Sequence, residues 1–233
     1  LNTHTNGTVS QLVDSITLPS EGAYSISYKI EDGFGNMSAI KTVATHYDSS
    51  APVITVSPTG STSWRTSAIG NISVTASESG TGTGVNDLIY LWDSSSWGSA
   101  VSVPANGIVT IPSEGDHTLW IKAVDNAGNI KTIAHQYKQD TQSPSSGHTP
   151  TPSGWTTTSI GPITLSASDN SPGSGLATNR YTWNSSTMSS GTTYSSGHTV
   201  TIPSEGSHVL RTQATDSAGN TGSTSYWIYR QDT

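Results

Sequence analysis

The chain has 233 residues, a net charge of −7 and only 11% charged side chains, and its nine Lys and Arg are scattered, which excludes nucleic acid as a partner because phosphate neutralisation needs clustered basic residues. It holds no cysteine, so disulfide scaffolds and thiolate chemistry are excluded, and no apolar run approaches the ~18 residues of a membrane helix. Hydrophobic content is low at 31%, yet seven Trp and nine Tyr sit among alternating Val, Ile and Thr, which a disordered chain lacks.

The chain opens on the polar stretch LNTHTNGT, which is no signal peptide, so the export signal of a secreted protein is expected elsewhere. The first landmark is PSEG at Pro19–Gly22, followed by AYSISYKIEDGFGN, and this first segment closes at Asp48. PSEG returns at Pro112–Gly115 and Pro203–Gly206, at intervals of 93 and 91 residues, followed by DHTLWIKAVDNAGN and SHVLRTQATDSAGN. Asp32 and Asn36 are thereby matched by Asp125 and Asn129 and by Asp216 and Asn220, and Asp48 is matched by Asp140 and Asp232. Self-similarity at a fixed period marks a repeat architecture, with a unit here of about 92 residues.

Within the second unit the apolar period is two. Ile72, Val74 and Ala76 alternate with Ser and Thr, and His117, Leu119, Ile121 and Ala123 form a second such row. Successive strand side chains point to opposite faces, so these rows predict half-buried antiparallel strands. Strands are expected near 53–57, 70–77, 88–93, 99–103, 107–111, 117–124 and 130–138. The third unit repeats Trp64, Gly70, Ala76, Gly84, Tyr90 and Trp92 as Trp155, Gly161, Ala167, Gly175, Tyr181 and Trp183, and these recurring tryptophans are expected to pack.

About seven short strands in some ninety residues, with an aromatic anchor on the third, predict an immunoglobulin-like sandwich. The expected fold is all-β: tandem immunoglobulin-like antiparallel β-sandwiches in an elongated array. Residues 49–140 and 141–233 are each read as a complete sandwich, and 1–48 as a half domain holding C-terminal strands only. Half a sandwich cannot bury its inner face. Either a longer polypeptide or strands added from an identical subunit would complete it.

Several motifs resemble those of the bacterial immunoglobulin-like (Big) repeats. They are the G-x-H-x-L strand (Gly115–Leu119, Gly206–Leu210), the A-x-D-x-A-G-N turn (Ala123–Asn129, Ala214–Asn220), the acidic residue before a Gly-rich loop (Glu78 to Val85, Asp169 to Leu176) and the closing D-T-x-x-P (Asp140–Pro144). The first copy departs from the pattern with EDGFGN and D-S-S-A-P. The resemblance implies a bacterial extracellular or cell-surface location and a role as spacer or stalk in an adhesin-like surface protein or a multidomain secreted enzyme.

Two sets of residues are candidate sites. Asp48 and Asp140 lie between units, where Glu78 or Asp169 and the turn aspartates Asp125 and Asp216 can converge on them. Calcium takes six to eight oxygen ligands and would stiffen such a joint; the plainer reading is that Asp and Asn close tight turns through backbone hydrogen bonds. Trp97 and Trp120 do not recur, and Trp120 falls on the outward face by alternation, so both are candidates for stacking on a glycan. His117 and His208 are expected inward and hydrogen-bonded. No nucleophile, zinc or phosphate-loop motif stands out, and no polar constellation is unique to one unit, so the chain is not read as an enzyme.

The expected function is a structural spacer whose partners are neighbouring repeats, with a glycan or host-surface molecule as ligand if there is one. The alternatives are a subunit of an extracellular filament built by strand complementation and a carbohydrate-binding accessory module of a secreted enzyme.

Overall fold

The computed structural model describes residues 15–233, so the LNTHTNGT stretch and the rest of 1–14 lie outside the described residues. The described part of the first segment is one hairpin, β1 (Gly22–Tyr28) against β2 (Lys41–Tyr47), paired from Gly22↔Tyr47 to Tyr28↔Lys41. One face carries Tyr24, Ile26, Tyr28 and Val43 by alternation, and Tyr28, Ile30 and Val43 are 46%, 50% and 51% exposed. At the position matching Tyr28, Ile121 of the second unit is fully buried.

The second unit folds into two facing sheets. Strands β3 (Val53–Ser57), β5 (Asn71–Ser77) and β8 (Ile108–Thr110) form a three-stranded sheet in the order β3-β5-β8. Strands β4 (Trp64–Arg65), β6 (Val85–Trp92), β7 (Val101–Ser102), β9 (Gly115–Asp125) and β10 (Ile130–Gln139) form a five-stranded sheet in the order β4-β10-β9-β6-β7. The third unit repeats the plan with β11 (Ser145–Thr149), β13 (Ile163–Ser168) and β16 (Thr199–Val200) facing β12 (Trp155–Thr156), β18 (Ser225–Gln231), β17 (Gly206–Asp216), β14 (Leu176–Trp183) and β15 (Thr192–Thr193). Each of the seven expected strands of the second unit has its counterpart.

The eighth strand, β4, was not foreseen, nor was its equivalent β12. Each is two residues long and runs parallel to the last strand of its unit, Trp64 beside Lys138 and Trp155 beside Arg230. Two residues cannot display a period of two, so no pattern announces them. To reach this position the chain crosses from one sheet to the other at Gly60, where a β-carbon would run into the Gln136 carbonyl. The expectation that the recurring tryptophans all pack is corrected by the same strands. Trp92 and Trp183 line the two cores, but Trp155 is 63% exposed because its strand lies on the edge with its ring on the outer face.

The core of the second unit joins Val56, Ile72, Val74 and Val109 of the small sheet to Leu119, Ile121 and Tyr137 of the large one. Ile163, Leu165, Val200, Leu210, Tyr194 and Tyr229 do the same in the third. Full burial of such a side chain contributes about 1.5–3 kcal/mol. Trp92 meets Tyr137 edge-on at 5.8 Å and Trp183 meets Tyr229 at 5.9 Å. The Tyr137 hydroxyl donates to the Pro58 carbonyl at 2.8 Å and the Tyr229 hydroxyl to that of Pro150 at 2.9 Å, and burial pushes both phenols up to about 12. His117 is inward and bonded as expected, with Nδ1 2.7 Å from Asp93. His208 lies 2.9 Å from Asn184 in the same way.

The two cores differ at several positions, among them Ile121 against Thr212, Val103 against Tyr194 and Val56 against His148. Where the second unit has the buried Val56, β11 of the third carries His148, its ring centroid 3.8 Å from that of Trp227 and its Nδ1 against the Tyr229 hydroxyl and 3.1 Å from the Pro150 carbonyl. Burial pushes the His148 imidazole below its ordinary value.

A proton is therefore bound more readily by the unfolded third unit than by the folded one. His148 contributes stability that is present above its unfolded value near pH 6.5 and lost as the pH falls below it. Urea melts between pH 7.5 and 5 are expected to show the third unit weakening on acidification, and His148→Val should remove that part of the dependence. In the same assay Leu210→Ala, which empties a fully buried site, is expected to cost about 2–5 kcal/mol.

Candidate metal centres

The six carboxylates singled out at the junctions fall into two trios, Asp48 with Glu78 and Asp125, and Asp140 with Asp169 and Asp216. Within each trio one oxygen of every carboxylate lies within 4.8 Å of the others. Each trio is assembled from three places. Asp48 and Asp140 close one unit, Glu78 and Asp169 follow β5 and β13 of the next, and Asp125 and Asp216 end β9 and β17.

Local hydrogen bonds fix each member. The turn aspartates accept from the backbone and side-chain amides of the asparagine four residues on, all at 2.8 Å (Asn129 to Asp125, Asn220 to Asp216). Gly128 and Gly219 supply the positive φ that this turn requires, +94° and +103°. Glu78 accepts from the Gly84 amide at 2.5 Å and Asp169 from that of Gly175 at 2.8 Å. The closing aspartates are gripped from the downstream unit. Asp48 accepts from the Thr83 amide and hydroxyl at 2.8 and 2.7 Å, and Asp140 from the Ser174 amide at 2.7 Å. The turn asparagine then reaches back, with Asn129 donating to the Asp48 carbonyl at 3.2 Å and Asn220 to the Asp140 carbonyl at 2.8 Å.

These bonds are unequal in strength, and the carboxyls separate accordingly. The Thr83 hydroxyl and amide hold Asp48 below the usual carboxylate range. Burial works against Asp125 and Asp140, but the Asn129 bonds in one and the Ser174 bonds in the other outweigh it and keep both low. Glu78 goes the other way, pushed up first by burial and then by Asp125 and Asp48 beside it. Asp169 is likewise raised, by burial and by the charges of Asp140 and Asp216. Among the described residues the salt bridges are His117–Asp93 and Lys138–Asp116, so neither trio meets a cationic side chain.

One oxygen in each trio has no partner at all: Glu78 Oε1 and Asp169 Oδ1 are buried and unbonded, and so is Oδ1 of the adjacent Asn170. Burying an unpaired acceptor is costly. An all-oxygen donor set is the kind calcium takes, and Asp48, Glu78 and Asp125 could hold such an ion at one joint and Asp140, Asp169 and Asp216 at the other.

Residues that the sequence did not single out complete the joint. The PSEG glutamate grips the linker from the upstream side. Glu21 accepts from the Ser49 amide and hydroxyl at 3.0 and 2.6 Å, Glu114 from those of Thr141 at 3.0 and 2.7 Å, and Glu205 from those of Thr233 at 3.1 and 2.7 Å. The signal was present, since a glutamate recurs in all three copies and a hydroxyl residue follows each closing aspartate.

Trp97, in a short 3-10 turn between β6 and β7, and Trp120, on β9, are both half-buried, and Lys122 Nζ sits 4.7 Å over the Trp97 ring, so one face of that ring is covered. No helix among the described residues is long and apolar enough to cross a membrane.

The fold and its joints define a chain of tandem immunoglobulin-like sandwiches. Residues 65–141 match the family model for the bacterial Ig-like domain. Among solved structures, a tetra-tandem repeat from the extending region of a large adhesion protein is 18% identical, with 91% of this chain and 57% of that one covered and a TM-score of 0.42. The fibronectin(III)-like modules of Clostridium thermocellum CbhA are 15% identical over 77% of this chain and 95% of theirs, TM-score 0.30. A Ca2+-stabilized adhesin of an Antarctic bacterium is 18% identical, 91% and 57% covered, TM-score 0.26. No curated protein matches the chain.

Asn220→Ala removes two donors from partly buried acceptors, the Asp140 carbonyl and the Asp216 carboxylate. Each lost bond leaves an unsatisfied oxygen, so urea denaturation of the full chain is expected to show a loss of about 1–3 kcal/mol in the third unit. An unchanged midpoint would mean that the turn closes without this side chain.

Proposed function

We propose that the chain is a non-catalytic spacer of an extracellular bacterial surface protein, a run of sandwiches whose joints are stiffened by calcium. The observation that carries the reading is the repetition of the same carboxylate trio at two joints, each with one member from the preceding unit and two from the following one. A cation held there ties the end of one sandwich to the loops of the next. The unpartnered Glu78 and Asp169 oxygens, and the lack of a salt bridge to either trio among the described residues, support a bound cation over a plain turn cap.

A filament assembled by strand complementation is the second reading. The open apolar face of the β1–β2 hairpin supports it, because Tyr28, Ile30 and Val43 would be covered only by further strands. Electron microscopy of the purified chain separates the two, filaments favouring the second and monomeric particles the first.

Isothermal titration of the full chain with calcium is expected to show two sites, and Asp140→Asn to leave one. Small-angle scattering should show a narrower spread of sizes with calcium than with EDTA. Absence of calcium binding in the wild-type chain would remove the metal from the reading and leave the hydrogen-bonded joint alone.

A further inference from the structure

The outer face of the large sheet in the third unit differs from the matching face of the second. Its core face is fixed by Leu210, Tyr181, Trp183, Trp227 and Tyr229. By strand alternation Arg180 of β14, Arg211 of β17, Tyr226 and Arg230 of β18 and Trp155 of β12 lie on the opposite side. Arg180, Arg211 and Arg230 are all the Lys and Arg that residues 141–233 contain, so every basic side chain of the unit is on one face. Its four carboxylates stand at the ends instead, Asp169 and Asp216 in the trio, Glu205 bonded to Thr233, and Asp232 just past β18.

None of these arginines makes a salt bridge with a described residue. Arg180 and Arg211 each use one nitrogen on a loop carbonyl, Gly191 at 2.9 Å and Ser185 at 3.2 Å, which steadies them and leaves the rest of each guanidinium free. The two aromatic rings are open, with Trp155 63% and Tyr226 65% exposed. Pairing sets their spacing. Trp155 stands beside Arg230, and Tyr226 stands opposite Arg211, with about 4.5–5.5 Å between cross-strand β-carbons. Four residues along β18 separate the two groups by about 13 Å, and Ile228 and Val209 pair between them.

The second unit shows what this face looks like when it is closed. There Lys138 replaces Arg230 and is paired to Asp116 at 3.1 Å while lying 5.6 Å over the Trp64 ring. In the third unit Ser207 stands where Asp116 would be, so the cation has lost its acid and the tryptophan has lost its cover.

We propose that this face binds an acidic polysaccharide, with Trp155 and Tyr226 stacking on sugar rings and Arg211 and Arg230 pairing with carboxylates of the same chain. Charge complementarity selects the ligand's sign, because three arginines stand without an acid on a molecule of net charge −7. Guanidinium matches a carboxylate in two parallel hydrogen bonds, and an exposed indole supplies the apolar half of a sugar site. A strip of paired aromatic and arginine residues along one strand suits an extended chain. A folded protein partner would need about 800 Å² of contact per side, and a nucleic acid would need more basic residues than the unit holds.

Native electrophoresis of the full chain in gels containing polygalacturonate tests this directly, with dextran, polyglutamate and oligo-dT gels alongside. The wild type should be retarded by polygalacturonate, and much less by dextran or polyglutamate. Trp155→Ala with Tyr226→Ala, and separately Arg211→Gln with Arg230→Gln, should each weaken retardation at least about tenfold, while Trp64→Ala in the second unit should not. Urea midpoints of the variants report that they remain folded, which is expected of exposed positions. Raised salt should weaken the wild-type effect, as screened ion pairs require. No retardation by polygalacturonate, equal retardation by polyglutamate or oligo-dT, or undiminished binding by both double variants would overturn the proposal.

Discussion

Two crowded sets of negative charge govern how this chain is built. At each joint three carboxylates approach one another without a salt bridge among the described residues, and local hydrogen bonds hold each of the three in place. Amide and hydroxyl donors from Thr83, Ser174, Asn129 and Asn220 absorb part of the charge, and the remainder falls on Glu78 and Asp169, whose carboxyls rise as a result. Such a site favours folding when it holds a counter-charge and strains it when empty, which is how a cation can control the stiffness of a joint.

The linker between units is correspondingly part of both sandwiches. Glu114 holds Thr141 from the upstream side, while Ser174 and Asn220 hold Asp140 from the downstream side. The same arrangement recurs one unit earlier with Glu21, Ser49, Asp48, Thr83 and Asn129. Each bond is ordinary in strength, about 0.5–1.5 kcal/mol net, but together they satisfy backbone groups that a free linker would leave to water. The joint is thus ordered by hydrogen bonds before any metal is considered.

Repetition of the fold leaves room for divergence on surfaces that packing does not constrain. The Lys138–Asp116 pair becomes Arg230 beside Ser207 in the third unit, and Trp120 becomes Arg211. Both units keep the two facing sheets and a carboxylate trio at the joint, while one sheet face changes from self-paired to open. That contrast between siblings is stronger than any single exposed tryptophan, because each unit serves as the other's control.

Much of the architecture was written in the sequence itself. The 93- and 91-residue spacing, the period-two rows and the recurring Asp–Asn turns marked the strands of the second unit and singled out the six carboxylates, because each of those signals is local or repeats. What only the tertiary structure decided was who meets whom. Asp48, Glu78 and Asp125 are separated by up to 77 residues and come together because β5 and β9 end beside the incoming linker. The two-residue strands β4 and β12 were invisible, being too short for any period, and with them the exposure of Trp155. The grip of the PSEG glutamate was only half legible: the glutamate and the hydroxyl residue after each closing aspartate both recur, but nothing in the sequence says that they meet across 27 residues.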